Sequence, residues 1–295
     1  MKNCVITGGS GLVGAHLMQS LHRQWRICAT ARTALANPLP NVDIQSIDLS
    51  TPWDTKTLPG KVDAVIHLAQ SARFRDFPEQ ADQVFQVNTV STLRLLDYAR
   101  RADAHTFILA SSGGVYGHGT QAFSEDAQIP YEQGLPFYLN TRLCAEILAG
   151  NYTPFMNVIV LRFFFVYGPG QRPTMLIPRL VQAVIDGQPI TLQGPEGLHL
   201  NPTYASDAAA AIQRALDLQD SHTINIGGPD VLSLRQISNL IGEAVGKTPR
   251  FEMHAVNQAP HLVGNISKMT HLLGKPQIGF ATGIRRYVAS LVRSA

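Results

Sequence analysis

The chain has 295 residues, 45% of them apolar and only 15% charged, with a formal net charge of +3. That length supports one large domain or one and a half, and so small and scattered a charge gives no footing for nucleic acid or an anionic membrane. Cys4, Cys28 and Cys144 are too far apart for a metal site and, with no signal-like leader and no apolar run of membrane-spanning length, read as reduced thiols of a cytoplasmic protein.

In chain order, NCVIT (3–7) reads as a strand, and Val13, Leu17 and Leu21 then recur at helical spacing. RICATA (26–31), DAVIHLA (63–69), TFILASS (106–112) and VIVLRFFF (158–165) read as further strands. Residues 85–102 and 139–151 read as the helices between them. Alternation at this spacing predicts an α/β protein with a doubly wound parallel sheet covered on both faces.

After YGPGQRP (167–173) the texture changes. A helix is expected over 176–187 with Gly187 as its stop, then a strand at 189–192. A helix over 206–218 follows with Ser206 as its N-cap, then a strand at 223–228 and a capped helix over 233–246. The implied organisation is a dinucleotide-binding domain over 1–166 and a smaller α/β substrate lobe over 167–295, with elements around 200–226 returning to the first domain.

TGGSGLVG (7–14) sits where a strand turns into a helix. Gly8, Gly11 and Gly14 permit a tight turn and let the backbone approach a pyrophosphate, which Leu12, Val13 and Gly14 would receive at the helix N-terminus. Ala15 stands where a nucleotide-hydrolase loop needs Lys, which excludes that rival. The second strand ends at Arg32, with no acid between 27 and 42. An acid there would bind a free ribose 2′-hydroxyl, whereas Arg accommodates a 2′-phosphate, so the cofactor is NAD or NADP with NADP favoured.

The order of these features resembles the extended short-chain dehydrogenase/reductases, in particular the NAD-dependent epimerase/dehydratase family. TGGSGLVG, IDL (47–49), HLA (67–69), VNTVSTLRLLDYA (87–99), SSGGVYG (111–117), YLNTR (138–142), LRFFFVYGP (161–169), NPTY-x-x-D (201–207) and GIRRYV (283–288) follow in family order. The resemblance implies a Rossmann sheet on which Asp48, Leu49, Leu68, Ala69 and Asn88 join Arg32 and the glycine turn in holding the cofactor. It implies Ser112 as the substrate's hydrogen-bond partner, Tyr138 as acid/base and Arg142 as the cation, the last two also touching the cofactor. It further implies a homodimer formed through the helices near 85–100 and 138–150.

The chemistry has its own physical logic. A tyrosine ionises near ~10, so acting as a base near neutrality asks for roughly 4 kcal/mol of preferential phenolate stabilisation. Tyr138 and Arg142, four apart on one helix, point to the same side, and a nearby cation supplies part of that energy. Three positions depart from the family pattern. Arg142 replaces Lys, exchanging a compact ammonium for a planar fork. Phe165 stands where Asn is common, and Leu200 where many sugar-nucleotide enzymes place Arg. Gly113, Phe165, Arg172 and His199 are the substrate candidates, with Arg179 as a further source of charge. Gly113 and Gly114 occupy positions that carry acids in dehydratases and decarboxylases, which points toward epimerisation or reduction. No residues have metal-ligand spacing. The leading expectation is an NAD(P)-dependent epimerase acting on a sugar or nucleotide sugar. The alternatives are an NADP-dependent carbonyl reductase, and a regulatory protein that holds NAD(P) without turnover.

Overall fold

The computed structural model describes residues 1–32, 39–255 and 261–292. In chain order its elements are β1 (Lys2–Thr7), α1 (Leu12–Leu21), β2 (Trp25–Ala31), β3 (Val42–Ser46), β4 (Ala64–His67), α2 (Ala81–Phe85), α3 (Ser91–Arg101), β5 (Thr106–Ser112), α4 (Phe137–Gly150) and β6 (Asn157–Phe163). The chain continues through β7 (Val166–Tyr167), α5 (Leu176–Asp186), β8 (Pro189–Gln193), β9 (His199–Leu200), β10 (Thr203–Tyr204), α6 (Ala205–Ala215) and β11 (His222–Ile226). It closes with β12 (Leu232–Ser233), α7 (Leu234–Val245), β13 (Arg250–His254), β14 (His261–Leu262), α8 (Ser267–Leu273) and α9 (Phe280–Val292).

Seven strands form one sheet in the order β11-β6-β5-β4-β1-β2-β3. The pairs β1–β2, β1–β4, β2–β3 and β4–β5 are parallel. The chain winds outward from β1 to β3, then crosses to place β4 on the other side of β1. This reversal opens a crevice beyond the carboxyl ends of β1 and β4, where open α/β sheets bind their ligands. Near-continuous burial along β1 and β2 marks a sheet covered on both faces. On one side Leu95, Leu96 and Ala99 of α3 and Ala145 and Ala149 of α4 join Val65, Phe107 and Val160 in a single apolar cluster.

Two compact units divide the chain. The first comprises Met1–Val115, Ile129–Arg162 and Ala209–Ile224. The second comprises Tyr116–Gln128, Phe163–Ala208 and Asn225–Ala295. The second has its own core, with Ile177, Val181 and Val184 of α5, Ile237 and Ile241 of α7, and Phe280 and Ile284 of α9. α7 starts with a capping box: Gln236 N donates to Ser233 Oγ at 3.1 Å and Ser233 N to Gln236 Oε1 at 2.9 Å. Gly187 ends α5 in the left-handed region at φ 66°, as its position in the sequence predicts.

Several expected elements are corrected. The helix expected over 85–102 is three pieces: α2, a π-helical turn at Gln86–Val90, and α3. Ser206 lies inside α6 and does not cap it, because β10 runs straight into the helix at Ala205 and leaves no loop residue for the role. The strand expected over 158–165 stops at Phe163, since Phe165 takes a left-handed φ of 43°. The strands expected over 63–69 and 223–228 end at His67 and Ile226. β3 and β13 are short and polar, which hides them from an apolar pattern.

Candidate functional site

The glycine turn is built for close approach. Gly11 occupies the N-cap position of α1 in an extended conformation, and no side chain caps the helix. Gly11 N donates to Gly8 O at 2.9 Å and Ala15 N to Gly11 O at 2.9 Å. A Cβ on Gly14 would lie 2.3 Å from Gly8 O, and one on Gly8, already at φ 74°, 2.8 Å from Ala69 N. The first-turn N–H groups of Leu12, Val13 and Gly14 are therefore free of side-chain competition and suited to an anion. A dinucleotide's pyrophosphate fits this cradle.

Around it stand the other expected cofactor residues. Arg32 is exposed at the end of β2, while 33–38, the rest of the segment read for an acid, lie outside the described residues. Asp48 Oδ1 accepts from Ser50 N at 2.9 Å and Ser50 Oγ at 2.7 Å. These bonds, the backbone one first, hold its carboxyl below the usual range, and the charge of Arg32 assists. Leu49 is buried, and its carbonyl accepts from Ser91 Oγ at 3.2 Å. Leu68 N donates to Thr7 O at 3.2 Å, and Ala69 N to Thr7 Oγ1 at 3.3 Å, which fastens the end of β4 to the glycine turn.

Thr7 Oγ1 also lies 2.6 Å from His67 Nδ1. Thr7 Oγ1 thus bonds Ala69 N and the His67 ring at once, and His67 is held neutral. Burial first, and the Arg142 charge second, push the His67 pKa down to about 3. A depressed histidine pKa stabilises the fold above the unfolded value near 6.5, and that stability is lost as pH falls from there toward 3. Between about pH 7 and pH 5 the linkage removes ~2 kcal/mol. Urea unfolding at both pH values should show this loss in the wild type and lack it in His67→Gln.

The catalytic candidates gather at the carboxyl ends of β4 and β5. Arg142 is only 2% exposed, far from the solvated helix face that a basic residue there suggests. Its Nη1 donates to Ala110 O at 3.2 Å, and its Nη2 to Ala69 O at 3.4 Å and Gln70 Oε1 at 3.2 Å. Its guanidinium carbon lies 5.5 Å from the centroid of the Tyr138 ring. Tyr138, half-buried in the first turn of α4, donates its hydroxyl proton to the same Gln70 Oε1 at 3.0 Å. Ser112 Oγ, at the end of β5, accepts from Gly114 N at 3.1 Å. A Cβ on Gly114 would meet Leu139 Cδ2 at 2.9 Å and Ser112 Oγ at 3.2 Å, so a side chain there would have to turn the Leu139 tip aside.

Supporting contacts aim α4. Asn88, fully buried in the π-helical turn, accepts from Ser71 N at 3.1 Å and donates to Thr141 Oγ1 at 3.0 Å, so both ends of its amide serve the scaffold. Ser111 Oγ hydrogen-bonds Glu146, whose Oε2 accepts from Arg162 Nη2 at 2.6 Å. This buried cluster pins α4 to β5 and β6. Sequence reasoning missed Gln70 and Glu146, since neither belongs to a motif or to an apolar period.

The remaining substrate candidates, apart from buried Gly113, belong to the second unit. Arg172 and Arg179 are exposed. His199 stacks on His261 with centroids 4.5 Å apart. Leu200 is fully buried in that unit's core, so it presents nothing to a ligand. Phe165 holds a left-handed conformation that Asn adopts far more readily. Asp207 Oδ2 accepts from Gln277 N at 3.0 Å and Ile278 N at 2.8 Å, anchoring the approach to α9. Among the described residues no group of three or more His, Cys, Asp or Glu could hold a metal ion, and no helix is long and apolar enough to cross a membrane.

A family model, described as the NAD dependent epimerase/dehydratase family, matches residues 4–227. A UDP-glucuronate 4-epimerase of Thermodesulfobacterium geofontis is 29% identical over 256 residues, covering 84% of this chain and 79% of the relative. Among solved structures, MoeE5 in complex with UDP-glucuronic acid and NAD superposes with a TM-score of 0.86 at 27% identity, covering 99% of this chain and 100% of the other. A UDP-N-acetylglucosamine 4-epimerase from Methanobrevibacter ruminantium, with a TM-score of 0.88, covers 100% of this chain and 99% of its own. At 20% identity it shows the fold alone.

Proposed function

Because the chain belongs to the NAD dependent epimerase/dehydratase family, we propose that it epimerises a hydroxyl-bearing carbon of a nucleoside-diphosphate sugar. UDP-hexoses and UDP-hexuronates are the substrate class, and Tyr138 is the acid/base. One residue carries the reading. Ala69 touches the glycine cradle, where a Gly8 Cβ would meet its nitrogen, and its carbonyl accepts from Arg142 Nη2. Cofactor turn and Tyr138–Arg142 pair are thereby joined through one residue.

The cradle residues fit a dinucleotide. Leu12, Val13 and Gly14 hold its pyrophosphate by backbone N–H groups, and Asp48, Leu49, Leu68 and Ala69 surround its adenosine half. Bound NAD supplies the hydride acceptor and donor. The chain's own residues handle the proton and the geometry. Ser112 hydrogen-bonds the reacting substrate oxygen, while Tyr138 takes and returns that oxygen's proton. Arg142 places a permanent charge behind the phenol ring. Gly113 and Gly114 supply no acid beside Ser112 for water elimination, which favours epimerisation over dehydration.

NAD is the proposed cofactor. The preference for NADP rests on Arg32 alone, whose charge also acts on Asp48. The solved relatives named with a cofactor carry NAD. A homodimer remains part of the proposal: Phe85, Leu93 and Ile147 on α2, α3 and α4 are exposed apolar residues that a second copy would cover, and sedimentation equilibrium gives the assembly state.

The test is incubation of the protein and NAD with UDP-glucuronate and UDP-glucose. Formation of the epimer without net reduced nicotinamide supports the proposal. Stoichiometric consumption of NADPH on a carbonyl substrate, with no epimer, would establish the carbonyl reductase instead. Tight nicotinamide binding with neither reaction would point to the regulatory protein.

A further inference from the structure

Gln70 follows Leu68 and Ala69 at the carboxyl end of β4. Its Oε1 accepts two hydrogen bonds at once, from the Tyr138 hydroxyl at 3.0 Å and from Arg142 Nη2 at 3.2 Å. Arg142 is held in place by Ala110 O and Ala69 O, so its fork reaches the phenol hydroxyl through an amide. A lysine at position 142, with one terminal nitrogen and no fork, could not span the same three acceptors.

We propose that Gln70 is a positioning residue that allows the buried Arg142 to serve Tyr138 in both protonation states. The inference rests on Tyr138 being the acid/base. An amide carries an acceptor and two donors on one rotor, and the terminal torsion of Gln is broad and roughly two-fold. While Tyr138 is a phenol, it gives its proton to Oε1, the arrangement in the structure. Once that proton has passed to a substrate oxygen, the phenolate needs donors. A half-turn of the amide then brings Nε2 to the phenolate and releases Arg142 Nη2 from Oε1. The guanidinium, its carbon 5.5 Å from the centroid of the Tyr138 ring, then favours the phenolate by its charge. Gln70 is exposed, so the rotor has room to turn. A carboxylate could serve only the phenol, and an aliphatic side chain neither state.

The charged and titratable groups around this pair are Arg142, the neutral His67 beside it, and Arg75. Arg75 lies 4.9 Å over the Phe74 ring, whose centroid is 5.0 Å from that of Tyr138. The test compares wild type, Gln70→Glu and Gln70→Leu. The first readout is the ultraviolet tyrosinate titration of the ligand-free protein, taking the component that vanishes on Tyr138→Phe. In Gln70→Glu its midpoint should rise by about one unit or more, because a carboxylate accepts from the phenol and repels the phenolate. Gln70→Leu should keep its melting temperature, lower kcat on the order of ten- to a hundredfold, and leave KM within about threefold. An unmoved or lowered midpoint in Gln70→Glu would overturn the proposal, as would an unchanged kcat in Gln70→Leu. The titration needs neither nicotinamide nor sugar, so it reports on Gln70 even if the protein proves not to be an epimerase.

Discussion

Tyr138→Phe should lower epimerisation by a factor of roughly 10²–10⁴, the usual contribution of a positioned general acid/base. NAD affinity should stay within a few-fold, because the glycine cradle and the adenosine residues are untouched. Stability should change by no more than about 0.5 kcal/mol, since Tyr138 is half-buried and its hydroxyl bonds the exposed Gln70. Steady-state kinetics, cofactor titration and thermal melting on the same preparation separate these effects. Retention of more than about a tenth of wild-type turnover would remove Tyr138 from the chemistry.

Arg142→Lys should lower turnover, even though it restores the family's residue. If Arg142 were a compromised lysine, the reversion would raise activity. The structure argues otherwise: the fork is 2% exposed and bound to Ala69 O, Ala110 O and Gln70 Oε1. Lysine carries a charge of the same sign into this buried place but cannot reach all three acceptors, leaving strand-end carbonyls without donors. The expected loss is about 1–3 kcal/mol in urea unfolding, with an accompanying fall in kcat of about tenfold or more. Combined with Gln70→Leu, the effects should fall short of additive, because both changes break the same bridge. Higher activity in Arg142→Lys would mean the site is a weakened lysine site and not one rebuilt around arginine.

Much of the fold was legible in the sequence. The glycine turn was readable because geometry forces the residue type: a side chain at Gly8 or Gly14 would collide with backbone atoms. The sheet was readable where strands are buried on both faces, as in β1 and β2. β3 and β13 escaped because they are short and polar, and β13 takes its place beside β8, which is distant in sequence. The π-helical turn escaped because the apolar rhythm on either side of it resembles one helix, yet it is this turn that aims Asn88 at Thr141. The positions of Ser112, Tyr138 and Arg142 were legible from their order. Their wiring was not. An arginine on a helix and a glutamine after a strand have no signature of burial or of a shared hydrogen bond, and only the tertiary fold puts Gln70 between Arg142 and Tyr138.

The most direct test is the fate of a deuterium placed on the reacting carbon of the UDP-sugar, with catalytic protein and bound NAD. Epimerisation by reversible hydride transfer within one active site predicts that the epimer keeps the deuterium on that carbon, gains none from labelled solvent, and forms without accumulation of reduced nicotinamide. Loss of the label to solvent, or one reduced nicotinamide released for every sugar consumed, would contradict the account.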